Sequence, residues 1–391
     1  MDYTKVLSKT VAGMKPSGIR RFFTLAAEKE HVISLSVGEP DFPTPEPARE
    51  AAIELLKAGN TKYTSNAGMV ELRRAIAQYL TRFGLSYDPD KEMFITVGGS
   101  EAIDVAMRAV LEPGDEVIVP EPSFVCYAPL AEMCHAKVIH LATKAEDGFA
   151  VTPDALRAAI TDKTKLLVLP FPSNPTGGIM TSEQLEAIAE VLRGTNVMVL
   201  SDEIYAELTY GGKKHVSIAS LPGMRERTLV VNGFSKAYAM TGWRLGYLCG
   251  PEELIGQMLK IHQYAIMCAP TMSQVAALKA MTTCEDYIEM MRGEYDKRRR
   301  MVVDRLNAMG LTTFEPRGAF YVFPCIKSSG LSSEEFCERL LNEKDVAIVP
   351  GNAFGECGEG YARISYSYST EHLTTALDCI EQFLEELHKN G

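Results

Sequence analysis

No two of the nine cysteines stand in C-x-x-C spacing, and an odd number cannot close a disulfide framework, so neither a zinc ribbon nor a stapled secreted scaffold is encoded. Scattered single cysteines suit a reducing compartment, where they act as small apolar core residues. No apolar run approaches the ~20 residues that cross a bilayer. The opening Met1-Asp2-Tyr3-Thr4-Lys5 lacks a basic segment followed by an apolar one, so no secretory leader and a cytoplasmic location are expected. Positive charge is also short. Forty Lys and Arg against 51 Asp and Glu give a net charge of −11, which argues against nucleic acid or an anionic membrane as partner, since both need a cationic face. The local exception, Lys297-Arg298-Arg299-Arg300, lies beside Glu294 and Asp304 and reads as a solvated helix face. The seven histidines show no metal-ligand spacing, so no metal is expected. Internal repeats and low-complexity tracts are absent.

What is present is a chain too long for one simple core, 391 residues, with an ordinary globular balance of 46% hydrophobic and 23% charged residues. Brief apolar runs rich in branched residues, at 94–97, 117–119, 165–169, 197–200 and 229–232, are the strands expected of a sheet covered on both faces. Helical patterns separate them. The clearest repeats apolar residues at Ile103, Ala106, Met107, Val110 and Leu111. Such alternation predicts an α/β fold with a mainly parallel sheet flanked by helices. Toward the end the pattern becomes α+β: a helix over about 285–309, a strand at 319–323, a helix near 332–343, two short strands and a last helix near 370–388. We therefore expect an N-terminal arm over 1–44 that contributes to a small domain, a large domain over 45–285, and a small C-terminal domain over 286–391.

In an open parallel sheet, ligands sit at the carboxyl ends of the strands. After 94–97 comes Gly98-Gly99-Ser100-Glu101, opening a helix whose first N–H groups and dipole favour an anion such as phosphate. After 165–169 comes a rigid Pro- and Gly-rich turn presenting Asn174. After 197–200 come Asp202 and Tyr205, which one helical turn would place on the same side. After 229–232 come Ser235, Lys236 and Arg244. Taken singly, an Asn after a strand is a turn former, an Asp is a helix cap and a Lys is solvated. Together at one sheet edge they make a site.

Ser173-Asn-Pro-Thr-Gly-Gly178, Ser201-Asp-Glu-Ile-Tyr205 and Ser235-Lys-Ala-Tyr-Ala-Met-Thr-Gly-Trp-Arg244 resemble the signature segments of the class I/II aminotransferases, fold type I of the pyridoxal-phosphate enzymes. Val37-Gly-Glu-Pro-Asp-Phe42, Lys62-Tyr-Thr-Ser-Asn-Ala-Gly68, Gly318-Ala-Phe-Tyr321 and Ala362-Arg-Ile-Ser365 support the likeness, in the family's order over about residues 36 to 365. The resemblance is to the aspartate/aromatic and acetyl-diaminopimelate branch. It implies a seven-stranded sheet in the large domain.

It further implies pyridoxal 5′-phosphate held as a Schiff base by Lys236, whose primary amine can also shuttle the substrate's α-proton. Asp202 resembles the partner of the pyridine nitrogen. Opposite charges ~4 Å apart at an effective dielectric of ~20 interact by about 4 kcal/mol, roughly three pKa units, enough to keep that nitrogen protonated. Tyr205 and Asn174 resemble the pair on the ring's 3′-oxygen, and Phe124 the stacking aromatic. Gly99, Ser100, Ser235 and Arg244 would hold the phosphate; some relatives carry a hydroxyl where this chain has Gly233. Arg363 resembles the clamp on the substrate carboxylate, with a backbone group of Gly38 beside it and Ile19, Tyr127 and Phe320 around the substrate side chain. With Lys236 and Arg363 in different domains, substrate would draw the two together. Tyr63 resembles the tyrosine that reaches the phosphate of a neighbouring subunit, implying a homodimer. The substrates implied are an L-amino acid and a 2-oxo acid, 2-oxoglutarate first, in a ping-pong cycle.

Two other readings use the same residues. A carbon–sulfur β-lyase would share Lys236, Asp202 and the arginines. A serine hydrolase would use Gly233-Phe-Ser235-Lys236-Ala237 as a nucleophile elbow, with Asp345 and His372 following in order. It lacks the last glycine and leaves Asn174, Asp202, Arg244 and Arg363 idle.

Overall fold

The computed structural model describes residues 1–14, 16, 18, 19, 22, 24, 29 and 31–390. In chain order the strands are β1 (Ile33–Ser34), β2 (Met93–Thr96), β3 (Glu116–Glu121), β4 (Lys137–Ala142), β5 (Thr164–Leu169), β6 (Met198–Asp202), β7 (Thr228–Gly233), β8 (Gly246–Cys249), β9 (Tyr321–Val322), β10 (Val346–Ala347), β11 (Val349–Pro350) and β12 (Ala362–Ser365).

Seven of them form one sheet in the order β2-β8-β7-β6-β5-β3-β4. Neighbours from β7 to β4 are parallel, whereas β8 runs antiparallel to both β2 and β7. Six strands thus share a direction. The carboxyl ends of β2, β3, β5, β6 and β7 emerge along one edge, and so does the start of β8. Strands β2, β7 and β8 are buried along their whole length, as expected where helices cover both faces. The helix Gly98–Val110 buries Ala102, Ile103, Val105, Ala106 and Met107 against the sheet. Leu111 caps it in an extended conformation rather than continuing it. The helix Ser182–Leu192 opens on a reciprocal capping box between Thr181 and Gln184.

Two of the seven strands escape the sequence reading. The edge strand β4 is largely exposed and carries Lys137 and His140, so it has no apolar run. The short β8 opens on glycine.

The C-terminal elements build a second core. Strands β11, β12 and β9 form an antiparallel sheet in that order, and β1 pairs in parallel with β10. Around them pack the helices Glu285–Ala308, Ser333–Lys344 and Thr370–Asn390, with Tyr295, Phe320, Phe336 and Phe383 at the centre. The N-terminal segment is tied in by backbone bonds from Leu35 to Ala347 (2.8 Å) and from Ser365 to Leu35 (2.9 Å). Only Tyr321–Val322 of the predicted 319–323 strand is paired, since Ala319 takes a positive φ of 55°.

Only half of the basic run 297–300 is a solvated face: Lys297 and Arg300 are exposed, as expected, but the two residues between them are not. Arg298 and Arg299 are buried. Arg298 makes two 2.9 Å bonds to Asp41 and one of 3.2 Å to Glu294, and Arg299 bonds Asp296 and Glu315. Burying such charges is tolerable only because each is paired with two carboxylates. The Arg298–Asp41 pair fixes the segment after Gly38 to the long helix.

Candidate active site

At the carboxyl edge of the large sheet lies a cavity of about 360 Å³ that the C-terminal elements close with Tyr321 and Arg363. Lys236 leaves the turn after β7, and its amine donates to the Gly38 carbonyl at 2.6 Å. The amine stands 5.6 Å from the centre of the Tyr205 ring. Burial pushes its pKa down to about 8, with Arg363 and Arg244 adding to the effect and Glu39 and Asp202 opposing it. Such an amine loses its proton far more readily than a solvated lysine.

Asp202 closes β6 on the neighbouring strand end. It is buried, accepts from the Tyr127 hydroxyl at 2.7 Å and from the Ile204 amide at 3.2 Å, and faces the cavity. Burial pushes its carboxyl upward, and the Tyr127 bond pulls it back. Tyr127 thus lines the cavity, but its hydroxyl is committed to Asp202. Nothing in the sequence marked that pair, which lies 75 positions apart. Asp202 and Tyr205 come together without the helical turn expected of them: the chain after β6 runs through successive turns.

The Tyr205 hydroxyl meets the Tyr321 hydroxyl at 2.7 Å. Phe320 lies beneath both rings, fully buried, and does not line the cavity. Of the two neighbours it is Tyr321 that lines the cavity, while Phe320 packs against Tyr205, Tyr295 and Tyr321. Ile19 and Phe124 do line the cavity.

Arg363, on β12, is buried. Its Nη1 donates to Asn174 Oδ1 at 2.8 Å and its Nη2 to the Ser36 carbonyl. The guanidinium is sandwiched between the rings of Tyr321 (4.7 Å) and Phe354 (4.9 Å). Burial pushes its pKa down, and the groups that offset burial are the phenols of Tyr321, Tyr205 and Tyr368 rather than a carboxylate. Its Nε has no hydrogen-bond partner among the described residues. A buried cation that faces a cavity with no carboxylate beside it has the charge and donor geometry to accept one. Gly38 lies in the same region, but its carbonyl is spent on Lys236. A Cβ there would come within 2.1 Å of the Tyr321 hydroxyl.

Gly99, Ser100, Ser235 and Arg244 also line the cavity. Gly98 has a φ of +78°, and a Cβ on it would stand 2.8 Å from Arg244 Nη2. The guanidinium fork thus abuts the turn that opens the helix. Arg244 reaches it because β8 is antiparallel, so the residues before that strand lie at the same edge as the carboxyl ends of the others. Gly233 explains the missing hydroxyl. It pairs with Gly246, and a Cβ would lie 2.9 Å from Gly246 Cα.

Tyr63 is 80% exposed and does not line this cavity. Asp345 pairs with Lys29, and His372 Nε2 faces the Ser34 carbonyl. Neither lines the cavity, so Ser235 has no hydrolase triad. The described residues hold no cluster of metal-ligating side chains and no helix long and apolar enough to cross a membrane.

Comparison with known proteins shows the family. The family model for aminotransferase class I and II matches residues 30–380. An aspartate aminotransferase of Pyrococcus abyssi is 46% identical, over 95% of this chain and 97% of its own. An aromatic-amino-acid aminotransferase of Thermococcus litoralis is 45% identical, over 97% and 98%. The solved structure of an aspartate aminotransferase from Thermus thermophilus with maleate superimposes with a TM-score of 0.91 at 40% identity, over 96% and 99% of the two chains. The chain belongs to the class I and II aminotransferases.

Proposed function

We propose that Lys236 carries pyridoxal 5′-phosphate and that the protein moves an amino group from an L-amino acid to a 2-oxo acid, with 2-oxoglutarate as acceptor, in a two-stage ping-pong cycle. The observation that carries this reading is the convergence of three groups on one cavity: a buried amine lowered to about 8, the buried Asp202, and an arginine fork against a glycine turn. Pyridoxal phosphate supplies an aldehyde that takes up amino groups and a ring that withdraws electrons.

The residues fit that group. The Gly98-Gly99-Ser100 turn, Ser235 and Arg244 would hold the phosphate. Asp202, with Tyr127 behind it, would face the ring nitrogen, and Phe124 would cover the ring. Tyr205 and Asn174 would hold the ring oxygen, with Tyr321 behind Tyr205. Arg363 would take the substrate carboxylate between its two aromatic rings. The Lys236 amine, released from Gly38, would carry the α-proton. Residues 45–285 are assigned to the large domain, and 286–391 with part of 1–44 to the small one. This division is supported by the pairing of β1 with β10 and by the Arg298–Asp41 ion pair. We assign the active form to a cytoplasmic homodimer in which Tyr63 reaches the neighbouring site. Its exposure, away from its own cavity, supports this.

The test is chemical. Purified protein should be yellow, and borohydride should fix the cofactor on the peptide holding Lys236. A reducible cofactor adduct in Lys236→Ala would overturn the assignment. Relatives named for aspartate and for aromatic amino acids match about equally well, so the donor screen against 2-oxoglutarate and pyruvate should span both classes.

A further inference from the structure

Glu101 follows directly on the Gly98-Gly99-Ser100 turn, and its carboxylate bends back on the chain entering that turn. Oε2 accepts from the Val97 amide, and Oε1 meets His262 Nδ1 at 2.6 Å. His262 is fully buried in the last turn of the helix Glu252–Ala265, with its ring 5.3 Å from that of Phe94. Its Nε2 has no hydrogen-bond partner among the described residues. With one ring proton or two, Nδ1 therefore carries one and donates it to Glu101, because the alternative buries an unpaired N–H and turns a lone pair toward a carboxylate. Neither side chain lines the cavity.

We propose that His262 is a positioning residue for the phosphate cradle: it holds Glu101, and Glu101 holds the Val97 amide at the entry to the turn. This rests on reading that turn as the phosphate site. The backbone there bends sharply, with ψ of 69° at Val97 and φ of +78° at Gly98, so it needs an external hold. A carboxylate in the first turn is also an internal rival for the N–H groups a phosphate would use. The His262 bond keeps it directed at the helix Glu252–Ala265 instead.

The test compares three probes on the full chain stripped of cofactor: pyridoxal phosphate, inorganic phosphate, and pyridoxal, which has the aldehyde but no phosphate. In His262→Leu, affinity for the two phosphate-bearing probes should fall about tenfold, as for loss of a hydrogen bond to a charged group, while capture of pyridoxal by Lys236 is unchanged. His262→Asn, whose amide keeps a donor near the Nδ1 position, should recover most of the loss. Unchanged phosphate affinity, or an equal loss for pyridoxal and pyridoxal phosphate, would overturn the proposal. His262→Phe, which also removes the donor but fills the site with a ring, carries the same expectation and serves if the leucine variant does not fold. A wild-type chain that bound none of the probes would instead sink the cofactor reading itself.

Discussion

The Lys236 amine rests 2.6 Å from the carbonyl oxygen of Gly38, so its partner lies on the N-terminal segment, close to the residue that holds Arg363. Ser36, two residues earlier, accepts from Arg363 Nη2. One short stretch of backbone thus touches both the Lys236 amine and the Arg363 guanidinium.

The first prediction concerns pH. The folded amine titrates at about 8 instead of 10.5, chiefly through burial. Below about 8 it is protonated and cannot attack an aldehyde; above it, it is free. Capture of pyridoxal phosphate by the cofactor-free protein should accelerate with rising pH and level off just above 8, as followed by stopped-flow absorbance. A rate still climbing steeply near 10.5 would show that the amine is solvated after all.

Tyr127→Phe removes the hydroxyl that holds Asp202 against its burial. The carboxyl should then rise further, so that Asp202 takes up a proton at a higher pH and ceases to be an anion there. The acid limb of the kcat/KM profile should move upward, with little change at alkaline pH. An unshifted acid limb would disconnect Tyr127 from the chemistry.

Arg363→Lys keeps the charge but loses the fork and the stacking between Tyr321 and Phe354. KM for both amino acid and oxo acid should rise about a hundredfold, in line with the roughly 2–5 kcal/mol cost of truncating a buried charged contact. Cofactor content should stay at the wild-type level. Loss of cofactor along with substrate affinity would point to general damage.

Tyr321→Phe leaves the Tyr205 hydroxyl without its 2.7 Å partner. Loss of one buried hydrogen bond of about 1–1.5 kcal/mol should lower kcat by roughly tenfold. The cofactor's absorption spectrum should change its pH dependence as well. Unchanged spectral titration would place the Tyr205–Tyr321 pair outside the cofactor's reach.

How much of this was legible depends on where each contact is made. Strands β2, β3, β5, β6 and β7 announce themselves because burial on both faces demands runs of branched apolar residues, and their carboxyl ends carry Asn174, Asp202 and Lys236 in local motifs. Strand β4 stays hidden because its outer edge is wet, and β8 because a glycine opens its four residues. The partners Tyr127 and Tyr321 were harder still. Each is recruited across the chain by packing, and no local spacing records it, although Tyr321 sits in a motif segment. Arg298 and Arg299 misled for the same reason: charge pattern along one helix cannot show that Asp41 and Glu315 come to meet it.

Gly233 faces Gly246 in the sheet, and a Cβ on Gly246 would in turn lie 2.7–2.8 Å from the backbone of Gly98 and Gly99. Three stretches of main chain are stacked there with no side chain between them. That wall has no rotamers to repack, so the cavity cannot be enlarged on this side by trimming a side chain, and any added room has to come from its other lining residues. Directed evolution of this enzyme should accordingly leave Gly98, Gly233 and Gly246 untouched.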